Sequence, residues 1–339
     1  MMAVAAVATM APQRPCPPPH PSCPPRRRRR RRRGRRRPPT APSAADDDRA
    51  AAAAAAAEDK KGEEGDTAAG EPSLPPPPRP SYKVIFKAGD DLRQDQLCIQ
   101  MVAVMDMLLK RVGLDLRLTP YRILATGAKD GMMEFVEGSL PVSAINKKYP
   151  GSILEFLRAS APDAGGPMGV AAEVMDTFVK STAGYCVVTY LLGIGDRHLD
   201  NLMMLPDGRL FHIDFGWILG RDPKPLPPPF RLTAEMAAAM GGAAGAPYRA
   251  FQSYCCQAYN CLRARAPLLL SLLGLMADAG IEALQEDPQG VLAKTEEKFR
   301  LELSDAQAER FFLGLVRESL TAVAARINEY LHQVAVALK

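Results

Sequence analysis

The amino-acid sequence predicts an α+β fold in which a small strand-rich lobe precedes a larger, mostly helical lobe. Three observations predict it. Residues 82–87 alternate and include β-branched and aromatic side chains, as strands do. Residues 170–192 and most of the chain from residue 233 onward have helical patterns. Between these regions, at residues 134–140, the pattern changes from strand-like to helical, and we place the junction of the two lobes there.

The small lobe is predicted to contain three strands and one long helix. The strand over 82–87 leads through a turn into a helix over 92–111, in which leucine, methionine and valine residues form one apolar face. Gly113 is expected to end this helix. Two further strands are predicted at 121–126 and 131–136.

The larger lobe is predicted to be built around a helix over 170–192, because the second half of that segment is continuously apolar. Such a helix is expected to be buried on all sides. The other predicted elements are a short helix at 151–158, two short strands at 201–205 and 209–213, and a mostly helical region from 233 onward with a loop at 286–289.

The N-terminal leader differs in composition from the rest of the chain. Residues 1–81 hold 17 of the 31 prolines and a net charge of +7, whereas the remaining residues carry a net charge of −2. The leader also contains an arginine block at 26–37 and an alanine run at 50–57. Such a segment buries too little apolar surface to offset its ordering entropy, so we predict disorder over 1–80.

The arginine block could bind nucleic acid or acidic lipid, or act as a nuclear signal. We favour a solvated run of charge, because a biased base composition alone could produce proline, arginine and alanine together. A nucleic-acid function would also leave the larger part of the chain without a role. We therefore expect no specific nucleic-acid partner.

The spacing of the cysteines and the length of the apolar runs indicate where in the cell the protein is expected. None of the seven cysteines forms a Cys-x-x-Cys pair or stands at zinc-site spacing from a histidine. This usage is typical of the reducing cytosol. No apolar run reaches the roughly 20 residues that a membrane-spanning helix needs. We therefore expect a cytoplasmic protein whose membrane contact is peripheral.

The most informative stretch is residues 193–216, GIGDRHLDNLMMLPDGRLFHIDFG. Asp207-Gly208 between two strand-like runs is a strong hairpin signal. If these two residues are the loop, facing residues have numbers that sum to 415, and Asn201 faces Asp214 with Cβ atoms about 5 Å apart. An amide oxygen and a carboxylate are hard ligands, so the pattern predicts a Mg²⁺ or Mn²⁺ site.

A carboxylate and an imidazole, Asp196 and His198, lie just upstream of these ligands. An unperturbed imidazole has a pKa near 6.5 and can accept a proton at neutral pH (about 7). A base beside two metal ligands is the combination that phosphoryl transfer requires. The sequence leaves open which of the two residues is the base.

These motifs resemble the phosphatidylinositol 3- and 4-kinase superfamily. Protein kinases carry His-Arg-Asp before the Asn, whereas this chain has the inverted order Asp196-Arg197-His198, followed by Asn201 and, 13 residues later, Asp-Phe-Gly. The superfamily's lysine strand and following helix are similar to FKAGDDLRQDQL at 86–97. The activation loop of the class III, vacuolar-sorting type resembles DFGWILGRDPKPLPPP at 214–229. The resemblance covers about residues 82–335.

The resemblance implies roles for the nucleotide-binding residues. Lys87 would contact the phosphates of ATP, with Asp95 as its acidic partner on the helix. Tyr121 would lie at the back of the nucleotide pocket. Phe135 and Val136 would form the hinge that binds adenine through backbone groups.

The resemblance also implies the catalytic and metal-binding roles. Asp196 and His198, in the catalytic motif with Arg197, would handle the proton of the inositol hydroxyl. Asn201 and Asp214 would hold Mg²⁺ or Mn²⁺.

The implied function is ATP-dependent phosphorylation of phosphatidylinositol at its 3-hydroxyl, giving phosphatidylinositol 3-phosphate. The substrate loop after Asp-Phe-Gly offers only Arg221 and Lys224 as cations before Phe230, which favours an unphosphorylated headgroup. The family acts on endosomal and autophagic membranes, in endosomal trafficking and autophagy. It does so with a protein-kinase-like regulatory subunit and a coiled-coil autophagy protein, so we expect these partners.

The chain departs from the family pattern before its lysine strand, where a phosphate-covering loop is usual and EPSLPPPPRP stands instead. Proline supplies no N–H groups to bind phosphate. We expect a truncated fragment with a disordered leader at 1–80, a partial kinase N-lobe at 81–137 and a kinase C-lobe with catalytic loop, activation loop and C-terminal helices at 138–339. Open alternatives are a catalytically inactive fragment that acts as a binding module, and a phosphatidylinositol 4-kinase or superfamily protein kinase.

Overall fold

A computed structural model describes the backbone of residues 6–10 together with residues 82–149, 152–225 and 227–321. It confirms the predicted α+β fold class. A four-stranded antiparallel sheet with one long helix precedes a larger region of helices around a three-stranded sheet. The rest of the segment predicted to be disordered lies outside the described residues.

The small lobe contains a four-stranded antiparallel sheet in the order β1-β2-β4-β3. Its elements are β1 (Ala6–Met10), β2 (Tyr82–Ala88), α1 (Arg93–Arg111), β3 (Ile123–Ala125) and β4 (Asp130–Glu134). Successive turns of α1 bury Leu97, Met101, Met105 and Leu108, which is the apolar face that the sequence predicts. In the sheet, Lys87 near the end of β2 faces Gly131 on β4.

The pairing of β1 with β2 corrects the prediction of disorder for residues 6–10. This strand runs antiparallel to β2, with Ala6 facing Phe86 and Met10 facing Tyr82. Without it, β2 would be an edge strand that presents a row of unpaired N–H and C=O groups. A short apolar segment without proline can satisfy that edge wherever it lies in the sequence. The average composition of the leader did not reveal that residues 6–10 could form a strand.

Deleting residues 1–10 is expected to increase self-association of the chain, because the freed edge of β2 becomes available to strands of other molecules. Light scattering after size-exclusion chromatography would measure the effect. A deletion of the same length at 40–49 is the control and should leave the chain's association unchanged. Equal association of the two deletion variants would contradict a capping role for β1.

The larger lobe is organised around one buried helix, α4, which packs along α6 and against β7. In the second half of α4, Tyr185, Val187, Val188 and Leu191 are all buried, which agrees with the prediction of a central helix. The elements of this lobe are β5 (Leu140–Pro141), α2 (Val142–Lys148), α3 (Ile153–Ser160), α4 (Ala172–Leu191), β6 (Leu202–Met204), β7 (Leu210–His212), α5 (Ala234–Ala239), α6 (Ala246–Arg263), α7 (Ala266–Gly274), α8 (Glu282–Gln285), α9 (Pro288–Glu297) and α10 (Asp305–Thr321).

Among the helices of the described residues, α4 included, none has both the length and the hydropathy of a membrane-spanning segment.

The hairpin of β6 and β7 forms as predicted, but its register differs by one residue. Leu202 faces His212, and the Leu205 N–H donates to the Arg209 carbonyl at 2.9 Å. The loop therefore has three residues rather than two. Pro206 has no N–H with which to extend the ladder, and Gly208 has a φ of 89°, as the last residue of such a loop requires.

Candidate active site

The catalytic loop, residues 192–201, runs from the end of α4 to β6 and lies directly against the segment that follows Asp-Phe-Gly. The Gly195 N–H donates to the Trp217 carbonyl, and the Gly220 N–H donates to the Gly193 carbonyl, both at 2.9 Å. A Cβ atom on Gly195 would stand 2.4 Å from the Arg221 carbonyl oxygen. Glycine is therefore required where these two loops approach each other.

Arg197 joins the catalytic loop to the end of the hairpin. Its Nε donates to the Gly195 carbonyl at 2.7 Å and its Nη1 to the Ile213 carbonyl at 2.8 Å, while Nη2 donates to the carbonyl of Asp214. The guanidinium also lies 5.8 Å from the centre of the Phe215 ring. These contacts occupy the fork of donors with backbone oxygens, so the geometry favours a positioning role for Arg197 over contact with reacting atoms.

Asp196 and His198 lie next to each other, as the sequence suggests. The His198 Nε2 is 3.9 Å from Asp196 Oδ2, and its Nδ1 is 3.8 Å from Asp200 Oδ2. The other oxygen of Asp196 forms an ion pair with Lys224, at 2.8 Å from Nζ. The Asp196 N–H donates to Asp222 Oδ2 at 2.9 Å.

The ion pair with Lys224 determines the protonation of Asp196. Partial burial tends to raise the pKa of this carboxyl, but the hydrogen bond and charge of Lys224 outweigh it, and the pKa lies below its ordinary value. A carboxylate that is this stable is a weak proton acceptor. The geometry therefore favours His198, which has carboxylates near both ring nitrogens, as the residue that takes the proton.

Asn201 and Asp214 come to the same end of the hairpin, although they do not face each other directly. The Ile213 N–H donates to the Asn201 carbonyl at 3.1 Å, so Ile213 is the residue opposite Asn201 and Asp214 is one position further on. The register difference corrects the predicted pairing. Asp214 has a φ of 62°, which turns the backbone immediately after the strand.

The side chains of Asn201 and Asp214 are suited to a divalent cation. The Asn201 Nδ2 donates to the Asp196 carbonyl at 3.1 Å, which leaves the amide oxygen as its free ligand atom. No group of three or more His, Cys, Asp or Glu side chains that could hold a metal occurs within the described ranges. Two oxygen ligands nevertheless fit Mg²⁺, which usually keeps several waters and binds substrate phosphates.

The predicted pairing of Lys87 with Asp95 is not formed. Within the described residues, the Lys87 ammonium pairs with the Asp90 carboxylate at 3.9 Å, and its charge acts on Asp95 only at longer range. Asp95 is buried, and its Oδ1 accepts a hydrogen bond from the Phe215 N–H at 2.9 Å. Burial raises the pKa of Asp95, and the Phe215 hydrogen bond opposes that rise. The carboxylate points to Phe215 because the first turn of α1 packs on the Asp-Phe-Gly segment.

The other predicted nucleotide residues lie along the small lobe. Tyr121 is buried and packs edge-to-face on Phe211, with ring centres 6.0 Å apart; burial raises its pKa well above the ordinary value. The Phe135 N–H donates to the Lys83 carbonyl at 2.9 Å, so it belongs to the sheet and is not available to adenine. Within the described residues, this leaves the backbone of Val136 as the hinge group that can donate.

Both cations of the predicted substrate loop are engaged. Arg221 forms an ion pair with Glu282 at 2.7 Å and stacks on Trp217 at 5.7 Å. Lys224 is held by Asp196, as described above. The loop therefore lies folded over the catalytic loop.

Two residues that the sequence analysis did not assign also contact this site. Asp222 accepts hydrogen bonds from the N–H groups of Asp196 and Lys224, at 2.9 and 2.8 Å. Gln94 donates to the carbonyls of Phe215 and Gly216. For Gln94, the only signal in the sequence was the dense polar run before and after Leu92, which does not predict what those side chains contact.

Several known phosphatidylinositol 3-kinases are similar to this chain. The profile of the phosphatidylinositol 3- and 4-kinase family matches residues 81–285. A phosphatidylinositol 3-kinase root isoform of Glycine max is 51% identical over 251 residues, which are 74% of this chain and 31% of that protein. The phosphatidylinositol 3-kinase VPS34 of Arabidopsis thaliana is 51% identical over 253 residues, and that of Saccharomyces cerevisiae is 46% identical over 254. These matches cover 75% of this chain and, respectively, 31% and 29% of the two relatives.

Proposed function

This chain belongs to the phosphatidylinositol 3- and 4-kinase family, and we propose that it transfers the γ-phosphoryl group of ATP to the 3-hydroxyl of phosphatidylinositol. The chain spans about 30% of the length of the relatives it matches, so the activity of the whole protein is part of the proposal. The observation that carries it is the convergence of His198, Asn201 and Asp214 at one end of the β6–β7 hairpin.

The residues of this site would have two kinds of role in phosphoryl transfer: some would position the metal and the nucleotide, and one would remove the proton from the attacking hydroxyl. Asn201 and Asp214 would hold Mg²⁺ or Mn²⁺, which neutralises charge on the β- and γ-phosphates when it is bound. Lys87, near the end of β2, would contact the phosphates, and the Val136 backbone would bind adenine. His198 would accept the proton of the attacking hydroxyl at its imidazole nitrogen.

Arg197 and Asp222 keep these groups in place without contact with the reacting atoms. Arg197 fixes the backbone at Ile213 and Asp214, which carries the metal-binding carboxylate. Asp222 fixes the backbone at Asp196, two residues before His198. Positioning of this kind matters because displacement of a reacting group by about 1 Å can cost a hundredfold in rate.

We further propose that the lipid substrate is unphosphorylated phosphatidylinositol and the product phosphatidylinositol 3-phosphate. Each added headgroup phosphate brings about 1.5 to 2 negative charges, which proteins usually meet with unpaired arginine and lysine side chains. The two cations of the substrate loop already have carboxylate partners, Glu282 and Asp196. A headgroup with several phosphates would therefore have to displace both.

In vesicles of equal lipid content, phosphatidylinositol is expected to be phosphorylated about tenfold faster than phosphatidylinositol 4,5-bisphosphate. The measurement is the initial rate of ³²P transfer by the 339-residue chain. The variant Glu282→Gln frees Arg221 from its ion pair and should narrow this difference, whereas Glu286→Gln is the matched control. Equal rates on the two lipids would contradict the charge argument.

A catalytically inactive binding module is the second candidate, and one observation favours it. Residues 71–80, directly before β2, read EPSLPPPPRP where this family usually has a phosphate-covering loop, and proline supplies no N–H groups to bind phosphate. Nucleotide binding without phosphorylation of any lipid would support this candidate.

Location and partners complete the proposal. By family resemblance, we propose a cytoplasmic protein that acts peripherally on endosomal and autophagic membranes. Its partners would be a protein-kinase-like regulatory subunit and a coiled-coil autophagy protein. Co-purification of the tagged chain with these two classes of protein would test this part.

A further inference from the structure

The first turn of α1 presents three consecutive polar side chains, and each holds a different part of the backbone. The Gln94 Nε2 donates to the carbonyls of Phe215 and Gly216, at 2.9 and 2.8 Å. The Asp95 Oδ1 accepts from the Phe215 N–H at 2.9 Å. The Gln96 Oε1 accepts from the Ala125 N–H on β3, at 2.7 Å.

The orientation of the Gln94 amide follows from its partners. Both partners are carbonyl oxygens, which can only accept, so the NH₂ group must face them. The amide oxygen of Gln94 is then buried without a hydrogen-bond partner among the described residues. A buried acceptor without a partner is unfavourable. The Gln94 side chain therefore keeps an orientation that leaves one acceptor unpaired. The two hydrogen bonds that it donates must outweigh the free-energy cost of that acceptor.

The segment that Gln94 holds is the one in which Asp214 has a positive φ. A non-glycine residue in the left-handed region persists only where the surroundings fix it. Arg197 of the large lobe holds the carbonyl of Asp214. Gln94 and Asp95 of α1 hold three backbone atoms of the next two residues, the N–H of Phe215 and the carbonyls of Phe215 and Gly216.

We propose that Gln94 is a positioning residue for the metal ligand Asp214. By holding the Phe215 and Gly216 carbonyls, it fixes the turn that carries the Asp214 side chain at the Asn201 end of the hairpin, where the Asp214 Oδ1 accepts from the Gly216 N–H at 3.3 Å. Because Gln94 belongs to α1, this contact ties the metal ligand to the small lobe. The inference deepens the proposed function and rests on it for the role of Asp214.

Two matched substitutions separate this role from a general effect on α1. Gln94→Glu keeps the size of the side chain but removes both donors and places a negative charge against two carbonyl oxygens. Gln96→Glu makes the same chemical change two residues away, where the side chain only accepts a hydrogen bond and a carboxylate can still accept it. Gln94→Met removes the donors without adding charge.

Hydrogen–deuterium exchange of the 339-residue chain is the deciding measurement, because it needs neither nucleotide nor activity. The amides of residues 215–218 should exchange about tenfold faster in Gln94→Glu than in the parent, and Gln96→Glu should match the parent within about twofold. Gln94→Met should change in the same direction as Gln94→Glu. If Gln94→Glu does not fold, Gln94→Met decides. Unchanged exchange in the Gln94 variants that fold would overturn the proposal.

Binding of Mn²⁺ together with ADP, followed by electron paramagnetic resonance, links the backbone effect to the metal site. The dissociation constant for Mn²⁺ should rise about tenfold in Gln94→Glu and stay within about twofold of the parent in Gln96→Glu. Faster exchange with unchanged Mn²⁺ binding would overturn the role towards the metal. A parent chain that binds Mn²⁺ and ADP but phosphorylates no lipid would contradict the proposed function alone.

Discussion

Replacing Asp214 with asparagine is expected to lower phosphoryl transfer about a thousandfold. The substitution keeps the shape of the side chain and tolerates the positive φ at this position, so its main effect is loss of one negative charge. Asp214 is the carboxylate of the two proposed metal ligands, and a bound metal contributes several kcal/mol to the stabilisation of the transferred phosphoryl group. The measurement is the initial rate of ³²P transfer at saturating ATP and Mg²⁺.

Asp207 provides the control for this experiment. It lies in the loop of the same hairpin and pairs with Arg209, at 2.7 Å, at the end away from the metal ligands. Asp207→Asn should therefore keep a rate within about twofold of the parent. An Asp214→Asn variant that kept more than about a tenth of the parent rate would rule out the assigned role.

Replacing His198 with alanine is expected to lower the turnover number by about 10² to 10⁴, the usual contribution of a general base. The Michaelis constant for ATP should change little, because the proposed role of His198 is to act on the acceptor hydroxyl and not on the nucleotide. Steady-state kinetics on phosphatidylinositol vesicles would measure both constants.

The neighbouring carboxylates tell which residue takes the proton. Asp196 is already paired with Lys224, so Asp196→Asn should lower turnover less than His198→Ala does. Asp200→Asn removes the exposed carboxylate on the other side of the ring and should have a small effect. If Asp196→Asn were the more damaging of the first two variants, Asp196 and not His198 would be the base.

Local patterns were sufficient to predict most of the fold. The alternating run at 82–87 forms β2, and the apolar segment at 170–192 contains α4. The fold class and the family resemblance are confirmed. These features succeed because each depends on residues close together in the sequence.

The predictions that failed depended on contacts between residues distant in the sequence, or on one missing hydrogen-bond donor in a loop. β1 pairs with a strand more than 70 residues away, which no local pattern can show. The hairpin register depends on the missing N–H of Pro206. Asp95 was expected to pair with Lys87, yet it binds the Phe215 N–H, because the packing of α1 on the Asp-Phe-Gly segment is set by the tertiary structure.

The position of the added phosphate tests the central claim most directly. The 339-residue chain would be incubated with phosphatidylinositol vesicles, Mg²⁺ and γ-³²P-labelled ATP, with Asp214→Asn as the control. The labelled lipid would then be deacylated and separated against 3-phosphate and 4-phosphate standards. We predict label in the 3-phosphate alone and almost none with the variant. Label in the 4-phosphate, or none with the parent chain, would contradict the assignment as a phosphatidylinositol 3-kinase.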